Sequence, residues 1–240
     1  MRNIVFILFA VINFSVLAQN PTSQKEALVL ELFTSEGCSS CPPFEKLAEN
    51  LTEKYGEKII ILSQHVDYWD YLGWKDKFAD PIYTTRQSKY RSHFNAKYLV
   101  TPQFIGNGKG IIKGNYVEDW IENQLQKTKN NQVDFQVELC QTEELCIHYE
   151  MDTNIDNKEL CIALIENDIF SDVKAGENRG RQYNHQNVVR YLKHIPLEGV
   201  KGMYNYTLPT GINLKNCEVV VFLQDKSNLS ISNAASKKLL

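Results

Sequence analysis

Two cysteines three residues apart, Cys38 and Cys41, carry the most legible chemistry in this chain. They lie in Glu31-Leu32-Phe33-Thr34-Ser35-Glu36-Gly37-Cys38-Ser39-Ser40-Cys41-Pro42-Pro43, which reads as a strand, a tight turn, a Cys-x-x-Cys pair and the start of a helix. A thiolate at the N-terminal end of a helix meets unpaired backbone N–H groups and the positive end of the helix dipole, which lowers its pKa. The second thiol can close a disulfide within the same turn. That is the equipment of reversible thiol–disulfide exchange, and it requires sulfurs that an incoming chain can reach.

Other chemistry-bearing residues gather around this pair. Glu31 interrupts an apolar strand. It is either a strand-end residue reaching solvent or a buried carboxylate near Cys41, with a raised pKa, serving as a proton acceptor. His65 and Asp67 follow a second apolar run and form either part of the site or a hydrogen-bonded pair that fixes a loop. A complete zinc site needs four ligands, and no second Cys-x-x-Cys occurs. His65 or His93 could supplement the cysteines, which keeps copper or zinc as an alternative. His148, His185 and His194 show no spacing that suggests ligands.

The elements that must position these residues follow from periodicity. Residues 27–34 suit a strand buried on both faces. Phe44, Leu47, Ala48, Leu51 and Tyr55 recur at helical spacing, and Gly56 stands where that helix would stop. Residues 58–63 give a second buried strand, so the unit is βαβ with parallel strands. Parallel strands end at one edge, which brings residues 64–69, including His65, Asp67 and Trp69, towards the cysteines. An aromatic loop over 70–80 precedes a helix capped by Asp80, with Pro81 first and Tyr83, Gln87, Tyr90, Phe94 and Tyr98 on one face. Arg86, Lys89, Arg91 and Lys97 then form a solvated face. Residues 100–105 and 111–114 read as a hairpin about a glycine-rich turn, and Asn115 with Glu118 as the capping box of another helix. Beyond a polar linker at 127–131 the pattern becomes mainly strands, with 176–187 as a long polar loop, and a small β-sandwich is expected.

The βαβ unit with Cys38-Ser39-Ser40-Cys41 after its first strand, then Thr101-Pro102 before a hairpin and a helix, resembles the thioredoxin superfamily. More closely, residues 31–43, His65-Val66-Asp67-Tyr68-Trp69, Thr101-Pro102-Gln103, Gly176-Glu177-Asn178-Arg179-Gly180 and Asn187-Val188-Val189-Arg190 look like an exported bacterial family catalogued as a domain of unknown function. The resemblance implies that Cys38 attacks, Cys41 resolves, and Pro102 is a cis-proline that receives the substrate chain beside Thr101.

The resulting expectation is a signal peptide over 1–18, a thioredoxin-like α/β domain with a helical insertion over 26–130, and a β-sandwich domain over 131–240. Met1-Arg2-Asn3 followed by an apolar run to Leu17 and a small residue at Ala18 reads as that signal. The run is shorter than a bilayer span, and no later segment is long and apolar enough to be one. Six cysteines in an exported chain fit a periplasmic or secreted location, and Cys140, Cys146, Cys161 and Cys217 allow three pairings. A net charge of −3 without a basic stripe argues against nucleic acid. The function expected is thiol–disulfide oxidoreduction on a protein or small-molecule disulfide or dithiol, with a redox partner protein and no bound cofactor. A metal chaperone using the same cysteines, or a cell-envelope binding module with a static disulfide, are the alternatives.

Overall fold

The structure is a computed structural model that describes residues 23–127, 132–141, 144–150 and 154–240, so the expected signal peptide lies outside the described residues. In chain order the elements begin β1 (Ser23–Lys25), β2 (Leu28–Thr34), α1 (Pro42–Tyr55), β3 (Ile59–His65), α2 (Pro81–His93), β4 (Gln103–Gly106), β5 (Ile111–Ile112) and α3 (Val117–Leu125). They continue with β6 (Gln132–Gln141), β7 (Glu144–Glu150), β8 (Lys158–Glu166), β9 (Ile169–Asp172), β10 (Gln182–His185), β11 (Val188–Pro196), β12 (Lys201–Thr207), β13 (Cys217–Asp225) and β14 (Ile231–Lys238). The fold is mixed α/β, with one large mixed sheet and few helices.

That sheet has the order β14-β13-β8-β11-β3-β2-β4-β5. β2 and β3 are parallel and in register from Leu28 opposite Ile59 to Thr34 opposite His65, so both strands end at the cysteine edge. β4 pairs antiparallel with β2 and with β5, the hairpin expected from the glycine-rich turn. The boundary expected near residue 130 does not divide this sheet. β11 runs parallel beside β3 with Val188 opposite Ser63, and the Ser63 N–H donates to the Asn187 carbonyl at 2.9 Å. A second sheet, β1-β6-β7-β12, takes its edge strand from the N-terminal end of the chain and packs on the β13-β8 region of the large one through Phe135, Leu145 and Ile147.

Alternation along the strands sends apolar side chains to both faces. On one face Leu28, Leu30, Leu32, Ile59, Ile61 and Phe104 pack under α1 and α3 through Ala48, Leu51, Val117 and Ile121. Further along, Leu160, Ile162, Leu164, Val219 and Val221 meet Phe135, Leu145 and Ile147 of the small sheet. The opposite face is crossed by α2, whose Tyr83 and Tyr90 lie against Val29, Phe33, Ala163, Val189 and Phe222. Asp80 caps α2 by accepting the Ile82 N–H at 2.8 Å, as expected. The expected capping box at Asn115 is absent. A 3-10 turn over Gly114–Tyr116 leads into α3, and Tyr116 at its start offers no side-chain cap.

Two charged residues depart from expectation because α2 spans the junction of the two halves. Arg86, expected at the surface, is buried. Its guanidinium pairs with Glu31 of β2 and donates to Gln224 of β13 at 2.9 Å. Glu31 also accepts from Tyr90 and, at 2.7 Å, from Gln64. Burial pushes the Glu31 carboxyl up, but the adjacent guanidinium and these hydrogen bonds outweigh it and hold the pKa below the usual value. Glu31 is therefore a buried, paired anion, neither the solvent-reaching strand end nor the raised-pKa proton acceptor that were the two expectations.

Arg86→Met should lower stability by about 3–5 kcal/mol, because it leaves Glu31 charged, buried and unpaired. Glu31→Leu added to it should return part of the loss; urea denaturation at neutral pH checks both. A carboxyl with a depressed folded pKa contributes stability that is full above its unfolded pKa and is lost as pH falls through the folded value. Glu31→Gln should therefore flatten the wild-type decline in stability below about pH 4.5, read from urea midpoints on an acid series.

Candidate functional site

Cys38 and Cys41 are joined as a disulfide with Cα atoms 5.5 Å apart. The turn is made by the Cys38 N–H donating to the Ser35 carbonyl at 3.1 Å and the Cys41 N–H to the Cys38 carbonyl at 3.2 Å. Cys41 stands at the N-cap of α1. The free N–H groups expected there are missing from the first turn of the helix. Pro42 and Pro43 have no N–H, and the N–H groups of Phe44 and Glu45 both donate to the Cys41 carbonyl. What remains for a thiolate is the helix dipole and Ser40, whose hydroxyl lies 3.3 Å from Cys38 Sγ.

Both cysteines are wholly buried, against the expectation of an accessible pair, although Ser39 and Ser40 between them are exposed. The cover comes from the C-terminal half. Expected as a long loop, residues 176–187 instead run into β10, which pairs antiparallel with β9 and carries the tip over the cysteine turn. Asn178 is buried and donates through Nδ2 to the carbonyls of Glu36 and Cys38, each at 2.8 Å. Glu177 accepts the Ser39 N–H at 3.1 Å. Gly176 and Gly180, at φ 71° and 83°, supply the left-handed backbone that folds the tip back.

Beneath the turn lies a buried cluster of acids and histidines. Glu36, two residues before Cys38, and Glu45, one helical turn after Cys41, converge on His185 at the end of β10. Glu36 Oε1 is 3.0 Å from Nε2 and Glu45 Oε2 is 3.1 Å from Nδ1. Burial pushes the His185 pKa down, but hydrogen bonds and charge from both carboxylates prevail and raise it to about 9. The other oxygen of Glu36 accepts from Trp74 Nε1 at 2.6 Å, and that of Glu45 from the Thr34 hydroxyl at 2.6 Å. Asp76 Oδ2 lies 2.7 Å from His65 Nδ1 and accepts the Glu36 N–H at 2.8 Å.

The residues expected at the site are placed as follows. His65 reaches the cysteine edge opposite Thr34, but its partner is Asp76 and not Asp67. Asp67 instead accepts the Thr84 hydroxyl of α2. Trp69 donates through Nε1 to Thr101 Oγ1 at 2.7 Å, and a Cβ built on Gly37 would lie 2.9 Å from its own Cβ, so Trp69 links Thr101 to the cysteine turn. The Thr101–Pro102 bond is cis, and Pro102 precedes the strand that pairs with β2. Glu36, Glu45, Asp76, His185 and Asn178 were not singled out as site residues. Glu36 lies in the 31–43 stretch and Asn178 in Gly176–Gly180, both of which resemble the exported family, whereas Glu45, Asp76 and His185 carry no such signal. Of the three possible pairings, Cys140 and Cys146 form a second disulfide six positions apart, and Cys161 and Cys217 are free and buried.

Fold and site together define a mixed α/β protein with a Cys-x-x-Cys disulfide at the mouth of a helix, closed by a hairpin from its own C-terminal half. The chain belongs to the family described as "Protein of unknown function (DUF1223)", whose model matches residues 29–224. It is similar to the crystal structure of protein AGR_C_4864 from Agrobacterium tumefaciens, at 25% identity and a TM-score of 0.67, covering 89% of this chain and 93% of that one. It also shares its fold with HBP35 of Porphyromonas gingivalis, at 16% identity and a TM-score of 0.63, covering 90% of this chain and 76% of that one. No curated protein matches the chain.

Asn178→Ala removes two buried hydrogen bonds and should cost about 1–3 kcal/mol at roughly 0.5–1.5 kcal/mol each. Because those bonds hold the cover shut, dithiothreitol should reduce Cys38–Cys41 faster, by about tenfold for each 1.4 kcal/mol of weakened closure. Urea denaturation and timed thiol release check the two effects.

Proposed function

We propose that this chain is an exported thiol–disulfide oxidoreductase built on a thioredoxin-like arrangement. One observation carries the reading: the Cys38–Cys41 disulfide occupies the turn between β2 and α1, at the edge where β3 also ends. Support for the arrangement comes from the parallel β2–α1–β3 unit followed by the antiparallel β4–β5 hairpin and α3. Support for export comes from the basic start, the apolar run and the small residue at Ala18. Among the described residues no helix is long and apolar enough to cross a membrane.

In the disulfide state the incoming group is a thiolate. It attacks one sulfur of the pair, the Cys38–Cys41 bond breaks, and a mixed disulfide forms while Cys41 leaves as a thiolate and takes a proton. A second substrate thiolate displaces Cys38, so the substrate departs oxidised and the pair remains as a dithiol; the reverse sequence reduces a substrate. Ser40 is placed to donate to the Cys38 thiolate, and Trp69, Thr101 and Pro102 are the residues proposed to meet the substrate. Attack requires the tip holding Glu177 and Asn178 to lift.

One observation favours a second reading, a static disulfide in a cell-envelope binding module: neither cysteine is exposed. The two readings part on the reduction potential of the couple. Exchange requires a value above the roughly −300 mV typical of inert structural disulfides. It also requires that Cys38→Ser abolish dithiol-dependent exchange and that Cys41→Ser accumulate mixed disulfides. A potential well below that level, with no trapped adducts from Cys41→Ser, selects the static disulfide.

A further inference from the structure

We propose that Glu45, His65 and His185 form a binding site for a divalent transition-metal ion of the zinc class, made without either cysteine. The site goes beyond the redox reading and does not depend on it. One donor atom from each of the three residues lies within 4.8 Å of the others.

The argument rests on what holds each donor. His65 Nδ1 lies 2.7 Å from Asp76 Oδ2, which places the ring proton on Nδ1 and leaves the lone pair on Nε2. Asp76 is itself fixed, accepting the N–H groups of Glu36 at 2.8 Å and Phe78 at 2.9 Å. His65 Nε2 is buried and has no hydrogen-bond partner, an exception among buried polar atoms that a bound ion explains. His185 repeats the pattern. Its Nε2 is held by Glu36 Oε1, whose carboxylate is held by Trp74, so Nδ1 is the donor and it faces Glu45 Oε2. The remaining oxygen of Glu45 is held by the Thr34 hydroxyl. Each histidine thus has a carboxylate on its far nitrogen, the arrangement by which ligating histidines are oriented and made more basic.

Charge points the same way. Glu36, Glu45 and Asp76 bring three carboxylates into a buried space beside the two histidines. A dication held by neutral histidines brings these carboxylates closer to balance. Two imidazole nitrogens and a carboxylate oxygen suit zinc. A metal–ligand distance near 2.0–2.1 Å puts donors roughly 3.3 Å apart, so rotation of the side chains must draw them together. The Glu45 side chain is 17% exposed, which gives the ion a path and a fourth ligand position to solvent.

The test uses the mature protein, stripped with a chelator and kept with its Cys38–Cys41 disulfide intact. Calorimetric titration with Zn2+ should show one tight equivalent, and Co2+ should give tetrahedral visible bands without a thiolate charge-transfer band. His65→Gln and His185→Gln should each abolish stoichiometric binding, and Asp76→Asn should weaken it about 10–100-fold. Circular dichroism confirms the fold of each variant; should a histidine variant fail to fold, the Asp76→Asn and wild-type titrations decide. No stoichiometric binding by the wild type, undiminished binding in the folded His65→Gln protein, or unchanged affinity in Asp76→Asn overturns the proposal. So does binding that appears only after reduction and disappears in Cys38→Ser, which would assign the metal to the cysteines.

Discussion

Three carboxylates buried under one disulfide turn set the main constraint on this molecule. Glu36 and Asp76 are each 1% exposed, and Glu45 reaches the same space from α1. An uncompensated buried charge is too costly to keep, so the fold has to deliver positive charge and N–H donors to this spot. The first half supplies His65 at the end of β3 and Trp74 from the following loop. It cannot supply the bridge between Glu36 and Glu45. That bridge is His185, on a hairpin about 140 positions further along the chain.

The continuous sheet is what makes the delivery possible. With β11 beside β3, the hairpin that precedes β11 emerges at the edge where β2 and β3 end. A sandwich tethered only by a linker would leave the position of His185 to chance. α2 reinforces the junction from the other face, since Arg86 and Tyr90 touch both Glu31 of β2 and Gln224 of β13, and the Tyr83 hydroxyl donates to the Val189 carbonyl of β11 at 2.8 Å. The two polar clusters do different work: one locks the halves together, and the other sits under the sulfurs.

What the sequence reveals follows the range of the interaction. β2, α1, β3, the β4–β5 hairpin and the start of α2 were legible because their signals are local: apolar runs, helical spacing, a glycine stop and Asp80 before Pro81. The disulfide was legible from its spacing. Arg86 was not, because a cation on a helix reads as solvated unless one knows that a second sheet segment covers that face. Glu31 was misread for the same reason: its pKa depends on a guanidinium 55 positions away. His185 shows no ligand spacing because its partners come from α1 and from the turn before the cysteines. β10 escaped notice because Gln182, Tyr183 and Asn184 are polar, and polar alternation resembles a loop.

The same placement decides how the disulfide can be reached. Two separations would expose it: the tip around Asn178 lifts, or the whole β9–β10 hairpin leaves with His185. The first breaks three hydrogen bonds, two from Asn178 to carbonyls and one from the Ser39 N–H to Glu177, about 1.5–4.5 kcal/mol at roughly 0.5–1.5 kcal/mol each. The second also strips a buried charge from its partners, about 3–5 kcal/mol for such a pair, and tears β10 from β9. The opening confined to the tip is therefore the cheaper of the two, since the second breaks the same bonds and more. Raising the tip frees the cysteine turn from Asn178 and Glu177 while the contacts of His185 with Glu36 and Glu45 stay assembled.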